Sequence, residues 1–277
     1  MTRHKERQYR ARSGMVLLAL FAVVSLALLT AGCSSPAPRT SSDVSSTPVE
    51  LDVSAASSLK RVLTDTAPAF EKEHNVKLVF NLGASGQLVK QIEGGAPADV
   101  FLSASPAAVT TLAAESLVTT SSGAMFAGNT LVILVPKGNP AGIHGPSDLA
   151  GATKLTTGDP AVAPHGQKAV EWLTNLGLWT GLSPNFVFAA NATQTDDYIA
   201  RGEVDAGIGF ASDAAGRSDI EIAYTVPDGQ IKPIRYEAAV VSATTHSDLA
   251  QAYIDYLNSS AAQNAFVSFG FTMAPGQ

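Results

Sequence analysis

The chain has 277 residues, 45% of them hydrophobic and 15% charged, enough for one large or two small domains with cores of their own. Its formal charge of −6 conceals a division: residues 1–32 carry five basic side chains and one acidic, whereas the chain from Cys33 onward carries 13 basic and 23 acidic, a net −10. A body that acidic excludes a nucleic-acid grip, which needs a basic stripe, and docking on anionic lipid by charge alone; one cysteine excludes a disulfide framework or a cysteine-based zinc site.

Residues 1–14 are basic and polar, and Met15–Ala31 is a 17-residue apolar stretch. This order reads as a secretory signal over residues 1–32; the alternative is a permanent anchor, for which 17 residues is the lower limit. The junction L-T-A-G-C (Leu29–Cys33) resembles the lipobox of bacterial lipoproteins, in which the cysteine is acylated and becomes the mature N-terminus. Thr30 stands where that pattern usually has Leu, with Leu29 one place further back, and Cys33 is the chain's only cysteine. Ser34–Pro48 contains six Ser and three Pro in fifteen residues, a composition that cannot bury a core. As a coil it reaches roughly 20 Å. A diacylated Cys33 supplies the two lipid signals that stable anchoring needs, so residues 33–48 are expected to tether the body outside the cytoplasm.

From Val49 onward strand and helix patterns alternate. Glu50–Val53 predicts a strand, Ser58–His74 a helix with Leu59, Val62, Leu63, Ala67 and Phe70 on one face, and Val76–Phe80 an alternating strand. Gly83–Gly86 is a turn, Gln87–Glu93 a helix, Asp99–Ser103 a buried strand, and Pro106 a helix start. Leu131–Val135 is all apolar, as in a strand covered on both faces. Strands near Lys154–Thr157, Phe186–Ala189, Ala206–Phe210 and Ala238–Val241 follow, with helices at Gly166–Leu176, Thr193–Arg201, Ser247–Leu257 and Ser260–Phe269. Such alternation predicts an α/β architecture with mixed, mostly parallel sheets flanked by helices.

Three places combine a strand end, a small-residue turn and a helix start: Ser57-Ser58, Ser85-Gly86 and Pro164-His165-Gly166. Free amides at a helix start, with the helix dipole, make an uncharged anion site; equally, a serine there can be an N-cap and nothing more. Enzyme motifs are weak. Ser57-Ser58-Leu59-Lys60 matches S-x-x-K, but 26 Ser and nine Lys make about one chance match expected, and S-D-N and K-T-G are absent. Ser85 lies in G-A-S-G and not G-x-S-x-G, and Gly83–Leu88 lacks the lysine of a phosphate-binding P-loop. Asp99, Glu203, Asp205 and Asp213 read as solvated caps and turn formers and not as metal ligands. Trp172 and Trp179 read as packing residues, and Phe266, Phe269 and Phe271 as pins for the last helix.

A-A-S-S-L (Ala55–Leu59), G-A-S-G-Q-L (Gly83–Leu88), Q-I-E-G-G-A-P-A-D-V-F-L-S-A (Gln91–Ala104), G-D-P (Gly158–Pro160) followed by P-H-G, A-S-D-A (Ala211–Ala214) and F-G-F-T (Phe269–Thr272) occur in this order. The series resembles the molybdate-binding proteins of ABC uptake transporters, over essentially all of Val49–Gln277. The resemblance implies a two-lobed, type II periplasmic-binding-protein-like fold that holds molybdate or tungstate between its lobes, without a cofactor, a direct cation ligand or catalysis. It also implies a monomer that hands its ligand to an ABC permease and its ATPase, and a lipid anchor such as Cys33 in Gram-positive bacteria. Lobe 1 is expected over 49–129 and 238–277, lobe 2 over 130–237, with Leu131–Val135 and Ala238–Val241 as the crossings. Carried over by motif, the ligand oxygens meet the hydroxyl and amide of Ser58 and Ser85, and backbone amides at His165 and Ala192. Phe210 stands where the family commonly places a tyrosine hydroxyl, so that donor is missing unless His165 or a water replaces it. Molybdate is an unprotonated dianion near neutral pH, so a ring of N–H and O–H donors suits it. A protonated phosphate finds no acceptor in such a ring, and sulfate differs by size. The rival readings are the same fold serving sulfate or another solute, and a structural adhesin.

Overall fold

The computed structural model describes residues 47–119 and 125–273. The expected signal segment, Cys33 and the tether as far as residue 46 lie outside the described residues.

The chain opens with β1 (Val49–Ala56), a single turn of 3₁₀ helix at Ser57–Leu59, α1 (Lys60–His74) and β2 (Val76–Gly83). Helix α1 buries Val62, Leu63, Ala67 and Phe70 on one face and ends at Asn75, which takes the left-handed conformation (φ 50°) usual after a helix. Next come α2 (Ser85–Glu93), β3 (Val100–Ser103), α3 (Pro106–Ala114), β4 (Val118–Thr119), β5 (Met125–Asn129) and β6 (Leu131–Pro136). After a 3₁₀ segment at Pro146–Gly151 follow β7 (Leu155–Gly158), α4 (Pro164–Asn175), α5 (Trp179–Leu182), β8 (Phe186–Ala189), α6 (Ala192–Ala200), β9 (Ala206–Phe210) and α7 (Ala211–Ala214). The chain closes with β10 (Ile220–Thr225), β11 (Ile234–Val241), α8 (Ser247–Leu257) and α9 (Ser260–Ser268).

These strands form two sheets. The first has the order β2-β1-β3-β11-β4, with β5 also paired to β11; β1, β2 and β3 run parallel, and β11 runs antiparallel to its neighbours. The second has the order β10-β6-β9-β7-β8, parallel from β9 to β8 and antiparallel around β6. Every residue of β6 is buried, as expected for a central strand between two neighbours. Helices cover the faces of both sheets because each sheet presents apolar side chains on both sides.

The crossings do not lie where the sequence pattern places them. Leu131–Val135 belongs wholly to the second sheet and Ala238–Val241 wholly to the first; the chain passes between sheets at Thr130 and again over Val226–Pro233. Ile234–Glu237, grouped by sequence with the second half, pairs with β5 and β3 in the first sheet. Two of the acids expected to be solvated are buried instead. Asp99 accepts from the Asp52 amide at 2.7 Å and from the Thr244 hydroxyl, and Asp213 accepts from the Phe210 amide at 2.8 Å. Both carboxylates tie adjacent elements together. Asp205 is a turn acceptor, for the amides of Thr153 and Lys154 at 2.7 and 3.0 Å. Trp172 is fully buried, stacks on Tyr224 and donates its indole N–H to Gln230 at 2.8 Å. Phe266 and Phe271 meet edge to face with centroids 5.2 Å apart and anchor α9 against Phe126 and Tyr236.

Candidate functional site

Parallel strands direct their carboxyl ends to one side of a sheet, and the helix that follows each strand starts there. In the first sheet β1, β2 and β3 end at Ala56, Gly83 and Ser103; in the second, β7, β8 and β9 end at Gly158, Ala189 and Phe210. These two sets of ends face each other across one small cavity, lined by Ala56, Ser57, Ser58, Gly83, Ala84, Ser85 and Ala104 from one side and Pro164, His165, Ala192 and Phe210 from the other. All five residues singled out from the sequence (Ser58, Ser85, His165, Ala192 and Phe210) are among them. The volume is about 10 Å³, close to the space of a single water. No charged side chain lines it among the described residues.

Neither serine is an N-cap. Ser58 lies inside the 3₁₀ turn, and Ser85 is the first residue of α2, whose N-cap is Ala84, a residue with no side-chain acceptor. Helix α4 likewise starts after Ala163 with no side-chain cap. In the first turns Gly86 N–H is taken by the Val162 carbonyl, Gln87 N–H by Ala84 and Gln167 N–H by Ala163, which leaves the amides of Ser85 and His165, both cavity-lining residues, to face a ligand. The Ser85 Oγ accepts from the Ala104 amide at 3.1 Å, which leaves its own proton for the cavity. The Ser58 Oγ lies 2.9 Å from the Tyr236 hydroxyl.

The far wall differs. The His165 ring is buried, and burial lowers its pKa from 6.5 to about 4, so the imidazole is neutral. Its Nε2 lies 3.0 Å from Thr195 Oγ1, which also lies 3.2 Å from the Asn191 carbonyl. With the Thr195 proton on Asn191, Nε2 carries the ring proton and the ring has no N–H for the place of the hydroxyl that Phe210 lacks; with it on Nε2, the ring N–H is at Nδ1. Phe210 packs its edge against His165 with centroids 5.8 Å apart. The G-D-P and P-H-G motifs interlock here: a Cβ on Gly158 would lie 2.4 Å from the His165 ring, and one on Gly166 would lie 1.9 Å from the Gly158 carbonyl. The Ala192 amide, expected to face the ligand, donates to Ser57 Oγ at 3.1 Å. That bond joins the two walls, as do Gly86 N–H to the Val162 carbonyl at 2.9 Å and Arg61 to the Ala215 carbonyl. Behind this wall Asp196 and Asp213 are buried near Arg217, and burial raises the pKa of both, further for Asp196 through repulsion by Asp213.

Ser57, Thr195, Asn129 and Tyr236 are the participants the sequence pattern missed. Ser57 was visible only as a neighbour of Ser58; Tyr236 carried a faint signal, an aromatic hydroxyl in the alternating run Ile234-Arg235-Tyr236-Glu237-Ala238, since a buried tyrosine oxygen needs a partner.

The model of the bacterial extracellular solute-binding protein family matches residues 51–272. The chain belongs to the bacterial extracellular solute-binding protein family. Members bind a solute for transport and catalyse no reaction on it. Among relatives of this solute-binding protein is YvgL of Bacillus subtilis (strain 168), whose name describes an ABC transporter substrate-binding lipoprotein. It is 33% identical over 252 residues, covering 91% of this chain and 96% of the relative. The molybdate-binding protein ModA of Escherichia coli (strain K12) is 32% identical over 231 residues, covering 81% and 89%. A solved structure, the periplasmic molybdate-binding protein of Azotobacter vinelandii, superposes with a TM-score of 0.72 over 80% of this chain and 99% of that one, at 24% identity. The solute-binding protein described here thus has the two-lobed type II periplasmic-binding-protein fold.

Proposed function

We propose that this protein captures molybdate, or its congener tungstate, between lobes built on the two sheets and delivers it to an ABC permease driven by an ATPase. The observation that carries the reading is the cavity itself: hydroxyls and helix-start amides from both sheets meet there with no charged side chain among them. An unprotonated dianion asks for donors only, and dipoles supply them without an ion pair. The acidic body gives the anion no long-range steering, so the local donors must do the attracting. At about 10 Å³ the cavity is smaller than any solute of this fold, so the donor-only lining and not the volume points to the ion. A tetrahedral oxyanion exceeds one water and fits once the walls stand slightly further apart, a hinge displacement about Thr130 and Val226–Pro233. Two relatives named for molybdate binding support the choice of ion.

Cys33 is the lipid-anchored residue in this reading, which holds a monomeric body at the outer face of the cell membrane. The L-T-A-G-C junction and the lipoprotein named among the relatives support it. Cys33→Ala is expected to move the protein from the membrane fraction to the soluble one.

The deciding experiment is calorimetric titration of the full chain in mild detergent with molybdate, tungstate, sulfate and phosphate. One-to-one binding of molybdate and tungstate with little response to sulfate or phosphate is expected. Heat from sulfate alone would keep the fold and the anion site but discard the ion.

A further inference from the structure

We infer that Tyr236 is a positioning residue for the bound anion, holding the Ser58 hydroxyl with its proton turned into the cavity. The inference rests on the anion-capture reading above and adds to it a residue that does not line the cavity.

Tyr236 sits on β11, fully buried, with its ring against Phe126, Phe210 and Phe271. Its hydroxyl has two neighbours: Ser58 Oγ at 2.9 Å and Asn129 Nδ2 at 3.2 Å. The orientation of the Asn129 amide decides which way the protons run. The Thr130 backbone N–H can only donate, and it points at one end of that amide from 2.9 Å. That end must be the carbonyl oxygen. The other end is then the NH₂, which gives one proton to Ser212 Oγ at 2.8 Å and the other to Tyr236.

Tyr236 therefore accepts from Asn129 and has one proton of its own to place. If Ser58 donated to Tyr236, the phenolic proton would be left buried without an acceptor, at the cost of an unmade hydrogen bond. Tyr236 donates to Ser58 instead. The Ser58 proton can no longer point back along that line and turns to the cavity its residue borders. Burial raises the pKa of the Tyr236 phenol above its usual value, so the donor proton stays in place at neutral pH. Against an anion that offers only lone pairs, a serine turned the wrong way repels where it should attract. Ser85 reaches the same state by a different device, the Ala104 backbone amide. The two hydroxyls of the near wall are thus both held as donors, one by the backbone and one by a side-chain relay from Asn129.

The test is a double-mutant cycle read by molybdate titration of the full chain, with the apo melting transition followed in parallel. Tyr236→Phe keeps the ring and removes only the relay oxygen; molybdate affinity is expected to fall about tenfold, and Ser58→Ala further. In Ser58→Ala/Tyr236→Phe the tyrosine change is expected to add nothing, because the hydroxyl it served is gone. Equal losses from Tyr236→Phe with and without Ser58 would overturn the inference, since a purely structural tyrosine acts on both backgrounds alike. Should Tyr236→Phe lose its melting transition, Asn129→Asp replaces it in the same cycle. The carboxylate still accepts from Thr130 but now accepts from Tyr236 too, and reverses the relay; its direct repulsion of the anion persists without Ser58 and cancels from the coupling. Absence of coupling there also overturns the inference. A wild type that binds no molybdate discards the proposed function and this inference together, whereas wild-type binding with additive losses discards the inference alone.

Discussion

On the proposed reading, the two walls of the cavity would meet the same ligand with different chemistry. The wall built on the first sheet offers side-chain hydroxyls, Ser58 and Ser85, each fixed by a partner behind it. The wall built on the second sheet offers a helix start at Pro164-His165 and two rings, the neutral imidazole of His165, tied to Thr195, and Phe210, which has no donor. A donor carried by a side chain can be removed by mutation. A donor carried by the backbone survives substitution of its own residue and fails only when the backbone moves. The near wall should accordingly be sensitive to side-chain identity, and the far wall to glycine geometry.

The largest effect expected is that of Ser58→Ala combined with Ser85→Ala. Hydrogen bonds to a charged partner are worth about 1.5–3 kcal/mol each, so the pair should cost two to four orders of magnitude in molybdate affinity, seen as loss of titration heat. Ser85→Ala also orphans the buried Ala104 amide, so it should lower the melting temperature by several degrees. Ser58→Ala takes the acceptor from the buried Tyr236 hydroxyl, so it should lower that temperature by a comparable amount.

Next in size is Gly86→Ala, which tests the contact between the walls. Its Cβ would lie 2.8 Å from the Val162 carbonyl, across the divide. Closure is obstructed while each half keeps its packing, and affinity should fall ten- to a hundredfold with little change in apo melting. Equal affinity in the mutant would show that the walls need not approach this closely around the ligand.

Phe210→Tyr adds a hydroxyl to a ring that already borders the cavity, and one more donor to a charged ligand should tighten binding about tenfold. An unchanged dissociation constant would mean that the near wall and the helix starts already satisfy every ligand oxygen.

The smallest effect on affinity belongs to His165→Gln, which keeps the backbone amide; binding should stay within about threefold. Its signature lies in the acid limb of stability. The folded pKa of His165, about 4, is below the unfolded 6.5. The unfolded chain therefore takes up a proton first, and stability held above pH 6.5 is lost as pH falls toward 4, by roughly 3 kcal/mol in all. The substitution should flatten that loss in melting curves taken between pH 4 and 7. The raised carboxyls of Asp196 and Asp213 act in the opposite sense: their contribution is present at low pH and fades as pH rises.

Much of the near wall was legible because its chemistry is written in residue types: serines in small-residue turns between a strand pattern and a helix pattern. The strands Phe186–Ala189 and Ala206–Phe210 and the helix Ser247–Leu257 fall where periodicity placed them. Three other strands went unread. Val118–Thr119 has two residues, Met125–Asn129 is short and contains a glycine, and both owe their pairing to β11 more than a hundred positions later. Ile220–Thr225 lies at the edge of its sheet behind a polar loop. The crossings were misplaced for the same reason: an apolar run predicts burial, not which of two sheets buries it. The partners of the site residues, Ser57 with Ala192 and Tyr236 with Ser58, are 135 and 178 positions apart. No local pattern encodes such pairs.

The bonds that join the walls, Ser57 to Ala192 and Gly86 to Val162, have a bearing on time as well as on affinity. An ion seated between them would leave most readily when these bonds break, so its dwell time would depend on how often the walls separate as well as on how tightly any one oxygen is held. A permease that pries the walls apart can accelerate release without competing for one of the ion's hydrogen bonds.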